Sequence, residues 1–180
     1  MSETPRAEKP LIRVIQRLAP PELRDEVWRA CMEKRWYYGN QSATDQGGIP
    51  FWKMDLDGDP AVARLWEHAR PHCEKAAERP LRVVRQYANG HTYGLGGQPH
   101  RDDTREGTFT LLYYPMPQWP PQWEGETLFY DARGDVMLGV KPSPNRGIFF
   151  DSRIPHSGRA PSRVCAALRV TLAYKLESAG

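Results

Sequence analysis

From Leu81 onward, turn residues cut the chain into segments too short for most helices and patterned for sheets. Residues 81–87, 108–114, 126–130, 136–140, 147–150 and 166–176 read as strands, most of them rich in β-branched and aromatic side chains. Between them stand Asn89-Gly90, Pro115 and Pro117, Pro120-Pro121, Gly134, Pro142 and Pro144, and Gly158. Such residues end strands by fixing φ or freeing it. The same punctuation marks the whole chain, with 17 prolines and 15 glycines in 180 residues, beside six tryptophans and eight tyrosines. Many turns and many flat rings point to short strands rather than a helix bundle, and the length is too small for a (β/α)₈ barrel.

Upstream the apolar period changes from two to 3.6. Leu23, Val27, Ala30 and Cys31 follow Pro20-Pro21 at the spacing of one buried helical face. Glu22, Asp25 and Glu26 sit near its start, where the helix dipole favours acids. Asp59-Pro60 starts a second helix, with Asp as N-cap and Pro in the first turn. Val62, Leu65, Trp66 and Ala69 give its apolar face, and Pro71 is expected to kink or split it. Residues 11–18, 36–38 and 51–56 read as short strands, and 41–50 as a loop placed to act as a lid. Residues 1–9 are polar and expected to be disordered. The expected architecture is therefore one domain over 10–180, α+β but mainly β. It is a double-stranded β-helix (jelly roll) with two or more N-terminal supporting helices on one face.

Several function classes are excluded early. No apolar run reaches the roughly 18 residues of a membrane span, and the first residues lack the apolar stretch of a secretory signal. A net charge of +3 with no basic stripe gives no footing for nucleic acid. Cys31, Cys73 and Cys165 are dispersed and form no disulfide framework, so the expected compartment is the reducing cytoplasm. The sequence is silent on oligomeric state.

The chemistry concentrates around Gly96-Gly97-Gln98-Pro99-His100-Arg101-Asp102. In extended chain, i and i+2 face the same side, so His100 and Asp102 can share one metal ion while Arg101 points away. A short Phe149-Phe150 strand, then a turn, leads to His156, 54 residues after Asp102. Two imidazoles and one carboxylate make the facial set of non-heme Fe(II) sites. A third feature is the alternation Ala167, Arg169, Thr171, Ala173 on one strand face. An arginine on a small apolar face must be paired if buried; Arg169 with Thr171 offers a carboxylate a guanidinium fork plus a hydroxyl, while the alternative is an arginine that snorkels to an edge or pairs with an acid of the same chain. Weaker features stand beside these. His68 and His72 are four apart on a helix without further ligands; Trp119 and Trp123 could wall a substrate or cover a barrel end. Arg101, Arg105 and Arg146 are candidate rim charges, and His91 lies on the approach to the metal set.

In order, His100-Arg101-Asp102, Thr108 to Tyr114 ending in paired tyrosines, Trp123-Glu124-Gly125-Glu126-Thr127-Leu128, Phe149-Phe150, His156 and Arg169 resemble the Fe(II)/2-oxoglutarate-dependent dioxygenases, particularly their prolyl-hydroxylase-like branch. The resemblance spans residues 81–176. It implies that His100, Asp102 and His156 hold iron and that Arg169, with Thr171, binds the distal carboxylate of 2-oxoglutarate. It implies too that Tyr114 adds its phenol there, although a plain core tyrosine fits the same pattern. The implied cofactors are Fe(II), 2-oxoglutarate and O₂, with ascorbate as a possible reductant. The implied reaction is hydroxylation of an unactivated C–H bond with release of succinate and CO₂. The expected substrate is a small-molecule metabolite in specialised metabolism; the alternatives are a peptide or protein substrate for a prolyl-type hydroxylase, and a non-catalytic, cupin-like metal module. Two departures from the pattern stand out. Glu124 replaces the first glycine of the usual pair, and the gap from His156 to Arg169 is longer than is common, which makes Arg163 a rival to Arg169.

Overall fold

The computed structural model describes residues 10–33, 35–41 and 48–179. The disorder expected of residues 1–9 and most of the expected lid loop fall outside them. The elements run β1 (Ile12–Gln16), α1 (Pro21–Glu33), β2 (Tyr37–Asn40), β3 (Phe51–Asp55), α2 (Pro60–Ala77), β4 (Leu81–His91), β5 (Thr108–Tyr114), β6 (Thr127–Tyr130), β7 (Val136–Val140), β8 (Arg146–Asp151), β9 (His156–Gly158) and β10 (Arg169–Ser178). Seven strands form one antiparallel sheet in the order β1-β8-β5-β10-β4-β3-β2, and three form a second in the order β7-β6-β9. Two antiparallel sheets with two helices constitute the jelly-roll architecture read from the sequence.

Both helices follow from their own residues. Leu23, Val27 and Cys31 are the buried line of α1. The Asp59 carboxylate accepts from the Ala61 and Val62 amides, capping α2 as expected. The helices cover the outer face of the large sheet. There the even-numbered residues of β10, Val170, Leu172, Tyr174 and Leu176, are buried. The Tyr174 hydroxyl donates to the Val62 carbonyl at 2.7 Å, tying sheet to helix.

Two local expectations are corrected. Helix α2 runs unbroken through Pro71, because Ala69, Cys73 and Ala77 stay buried on both sides of it while the proline ring faces solvent. Asn89-Gly90 does not turn the chain: β4 continues to His91, laddered to β10 on one side and β3 on the other. Tertiary pairing outweighs the local turn preference. Gly90 is needed there for closeness, since a Cβ would sit 2.9 Å from the Trp36 ring and 3.1 Å from Leu168.

Candidate active site

Alternation along the large sheet places one set of side chains between the two sheets. From β10 these are Arg169, Thr171, Ala173 and Lys175; register sets them beside His91, Asn89, Tyr87 and Arg85 of β4. On the other side of β10, Lys175 is level with Thr110 and Ala173 with Leu112 of β5. Charged groups thus stand at both ends of a strand face whose middle is alanine, which leaves space between them.

His100 and His156 meet through a backbone bridge. The amide of each donates to the carbonyl of the other at 2.9 Å, and their ring centroids are 4.5 Å apart. Asp102 lies between them, one carboxylate oxygen 3.4 Å from His100 Nε2 and the other 3.5 Å from His156 Nε2. One donor atom from each of the three residues lies within 4.8 Å of the others, the single such cluster among the described residues. His68 and His72 remain on an exposed helix face outside it.

The surroundings fit a metal ion. His100 Nδ1 is 2.8 Å from the Gln98 carbonyl and His156 Nδ1 is 3.0 Å from that of Ile154. A carbonyl only accepts, so each Nδ1 carries a proton, and Nε2 is the nitrogen of each ring that faces Asp102 and that a metal would take. Burial pushes the His156 imidazole down to about 4, the opposing pull of Asp102 notwithstanding. Burial would raise the Asp102 carboxyl, but the Lys175 ammonium beside it outweighs that and holds it well below the usual carboxylate range. Thr110 Oγ1 donates to Asp102 at 2.6 Å, and Lys175 Nζ pairs with the same oxygen. A neutral His156 imidazole and an ionised Asp102 carboxylate are the protonation states a divalent metal requires.

Arg169 is buried to 1% exposure with no carboxylate partner among the described residues. Its Nε donates to the Gly125 carbonyl (2.6 Å), Nη1 to Thr171 Oγ1 (2.7 Å) and Nη2 to Thr127 Oγ1 (3.1 Å). The Tyr114 hydroxyl shares a 2.6 Å hydrogen bond with that same threonine oxygen, and its ring centroid is 5.6 Å from the guanidinium carbon. Nη1 also lies 3.4 Å from His91 Nδ1. With Nδ1 facing a donor, the His91 proton falls on Nε2, which is buried without a partner, as is Asn89 Oδ1. Arg169, His91, Asn89 and the three metal-donor residues all line one cavity. An unpaired buried cation beside an orphaned buried N–H fits an anion such as a carboxylate.

Among the other sequence candidates, Arg163 lies exposed in a turn and does not line that cavity, which separates it from Arg169. Arg105 pairs with Asp103, Arg146 bonds to Gln16 and the Lys141 carbonyl, and Arg101 donates to the Arg153 carbonyl, so the three do not converge. Trp119 and Trp123 make an edge-to-face pair at 5.1 Å outside the cavity, with Trp119 Nε1 bonded to the Glu124 carbonyl. Glu124 adopts φ 53°, and Gly125 after it φ 80°, so the chain keeps a glycine-like turn despite the substitution. Lys175, Thr110, Thr127, Asn89 and His91 carry roles that sequence reasoning missed or left open. Lys175 and Thr110 were available as continuations of the alternations of Arg169-Thr171 and Tyr114; Asn89 and His91 were hidden by the apparent turn at Asn89-Gly90.

Gly96 packs the approach to His100 against the strand carrying His156. A Cβ on it would lie 2.8 Å from the Ala160 amide nitrogen and 3.2 Å from the Gly158 carbonyl, both backbone atoms. The adjacent Gly97 amide donates to that carbonyl at 2.8 Å. Gly96→Ala is therefore expected to destabilise the fold by about 1–3 kcal/mol, as overpacking does, and to weaken divalent-metal binding about tenfold by displacing His100. Urea unfolding and metal titration of the variant check both; an unaltered metal affinity would show that the contact does not position His100.

Burial, and secondarily Arg169, push the His91 imidazole down to about 3, against about 6.5 in an unfolded chain. Between those values the unfolded chain binds a proton that the folded one does not. The stability from His91 is thus complete above about pH 6.5 and falls as pH drops toward 3. His156 contributes to the same acid limb. Replacing His91 by Gln is expected to flatten the loss of stability between pH 7 and pH 5 by about 2 kcal/mol. Urea midpoints at the two pH values measure it, and parallel acid limbs would disprove the buried neutral His91.

Residues 84–174, half of the chain, match the family model of the 2OG-Fe(II) oxygenase superfamily. The chain belongs to that superfamily, and it is a 2-oxoglutarate-dependent oxygenase. No curated protein matches the chain. Among solved structures, a Pseudomonas putida prolyl-4-hydroxylase aligns with a TM-score of 0.70 at 15% identity, over 96% of this chain and 95% of that one. The non-heme alpha ketoglutarate dependent carbocyclase SnoK from nogalamycin biosynthesis aligns at 0.73 and 15%, over 94% and 80%. HygX from Streptomyces hygroscopicus, solved with nickel and 2-oxoglutarate bound, aligns at 0.70 and 12%, over 94% and 83%. These likenesses show the shared fold. Iron(II), 2-oxoglutarate and O₂ are the reactants the superfamily implies, and no helix among the described residues is long and apolar enough to cross a membrane.

Proposed function

We propose that this oxygenase hydroxylates an unactivated C–H bond of a small-molecule metabolite, in specialised metabolism, with release of succinate and CO₂. The observation that carries it is one cavity lined by both the His100-Asp102-His156 donor set and the unpaired Arg169. In this reading His100, Asp102 and His156 hold iron(II), and Arg169 takes the distal carboxylate of 2-oxoglutarate. Bound iron supplies the activation of O₂, a chemistry no side chain here provides.

The remaining work belongs to the chain. The Gln98 and Ile154 carbonyls fix which imidazole nitrogen faces inward. Thr171, Thr127 and the Gly125 carbonyl hold the guanidinium in place, and Tyr114 reaches it through Thr127. His91 Nε2 offers a further N–H to the carboxylate. Ala173 leaves room between Arg169 and the donor set, while Phe129 and Phe150 pack on the His156 ring and exclude water from that side. The enzyme acts as a single domain over 10–180 with ascorbate able to keep the metal reduced. Its three free cysteines, two of them buried, favour the cytoplasm.

The test is succinate formation from 2-oxoglutarate with iron(II), alone and with metabolite and peptide libraries. Metal-dependent succinate, stimulated by small molecules, is the expected result. Stimulation by prolyl peptides alone would move the substrate to a peptide. Absence of both succinate and 2-oxoglutarate affinity would leave a non-catalytic metal module of the cupin kind.

A further inference from the structure

Next to the donor set the sheet opens into a second cavity of about 180 Å³, which shares Tyr87, Asn89, His100, Asp102 and Lys175 with the first. Its walls are polar and dominated by cations. Lys53 Nζ lies 5.1 Å, Arg85 Cζ 4.6 Å and Lys175 Nζ 5.8 Å from the centroid of the Tyr87 ring. Register explains the cluster: β3, β4 and β10 are neighbours, so Lys53, Arg85 and Lys175 rise from adjacent strands around one aromatic residue. Arg101 also borders the cavity, but its guanidinium is held by the Arg153 carbonyl outside it.

The acids here are fewer. Asp55, itself largely exposed, pairs with Lys53 at 2.9 Å, and Asp102 pairs with Lys175. Arg85 is exposed and has no carboxylate partner among the described residues. Three cations against two carboxylates leave an excess of one positive charge, on Arg85. Iron(II) and the 2-oxoglutarate dianion cancel one another, so the loaded site keeps that excess. A concave site of one sign concentrates ligands of the other. A guanidinium held against a ring face keeps its outer N–H groups free for a bidentate oxyanion.

Resting on the oxygenase reading above, we infer that the substrate is a small organic anion. Its carboxylate or phosphate is held by Arg85 and Lys53 beside Tyr87, so that a carbon elsewhere in the molecule faces the donor set.

The experiment uses the full chain with Mn(II) in place of iron and saturating 2-oxoglutarate. Paramagnetic relaxation of ligand proton signals reads which molecules sit near the metal. The probes are matched pairs: N-acetylglycine and its amide, 4-hydroxyphenylacetate and its amide, and glycerol 1-phosphate and glycerol. The charged members are expected to relax at concentrations at least tenfold below their neutral partners, with the preference shrinking as salt rises. Lys53→Met/Arg85→Met should erase the preference, and exposed Arg85→Gln alone should reduce it several-fold. Preference confined to the acids, or to the phosphate, assigns the oxyanion. Equal relaxation of charged and neutral members, or relaxation of none, overturns the inference. Relaxation of the 2-oxoglutarate methylene signals is read in the same samples; its absence would instead reject the oxygenase site itself.

Discussion

Asp102→Ala is expected to abolish 2-oxoglutarate-dependent succinate formation and to weaken divalent-metal binding by more than about 100-fold. Outer partners of metal ligands alone are worth roughly 10–100-fold, and Asp102 is the sole carboxylate between His100 and His156. The same change is expected to destabilise the metal-free protein. Lys175 pairs with no other carboxylate among the described residues, and its ammonium would be left half-buried without a counter-charge, at about 2–3 kcal/mol. Asp102→Ala/Lys175→Met separates the two effects, since removing the stranded charge restores stability but not metal binding. Calorimetric metal titration and urea unfolding of the three proteins read the outcome. Full metal affinity in Asp102→Ala would refute the ligand set, and no recovery in the double variant would refute the pairing.

Arg169→Met has the opposite profile. Loss of the guanidinium is expected to lower 2-oxoglutarate affinity by at least about 100-fold, the worth of a desolvated charge-assisted pair. Stability without ligand is expected to change by less than about 2 kcal/mol. Burying a cation costs several kcal/mol, and here a carbonyl and two hydroxyls, with no carboxylate, offset it. Burial draws the Arg169 pKa down, as that account requires. Saturating 2-oxoglutarate at about 100 times Kd should add roughly 2.7 kcal/mol to the wild type and no more than about 0.4 kcal/mol to the variant. Thermal melts with and without 2-oxoglutarate measure both quantities. A ligand-induced shift retained in Arg169→Met and lost in Arg163→Met would transfer the role to Arg163.

Both predictions depend on residues whose visibility in the sequence differed. Helix α1 was readable because Leu23, Val27 and Cys31 repeat at 3.6 and a proline opens the first turn. Asp59-Pro60 carried its own cap, and β5 and β7 lie where alternation and turn residues put them. Misreadings arose where a local preference met a stronger non-local one. Asn89-Gly90 has turn chemistry but forms ladders on both sides. Pro71 breaks helices in isolation, yet its neighbours remain buried along one face.

The sequence by itself pointed to the kind of site proposed. His100 and Asp102 share a side because i and i+2 do so in extended chain, and Arg169-Thr171 reads as an anion receptor only beside that donor set, since an arginine on such a face could otherwise snorkel or pair with an acid. Those are properties of residue type and short spacing. Which residues surround them was decided only by the tertiary structure. Lys175 meets Asp102, and His91 meets Arg169, across separations of 73 and 78 residues. Such contacts depend on which strands become neighbours and in what register. The same register gathers Lys53, Arg85 and Lys175 around Tyr87 and gives the cavity mouth its charge. Register is a collective result of pairing β3, β4, β10 and β5 with one buried face, and no single segment of the chain contains it.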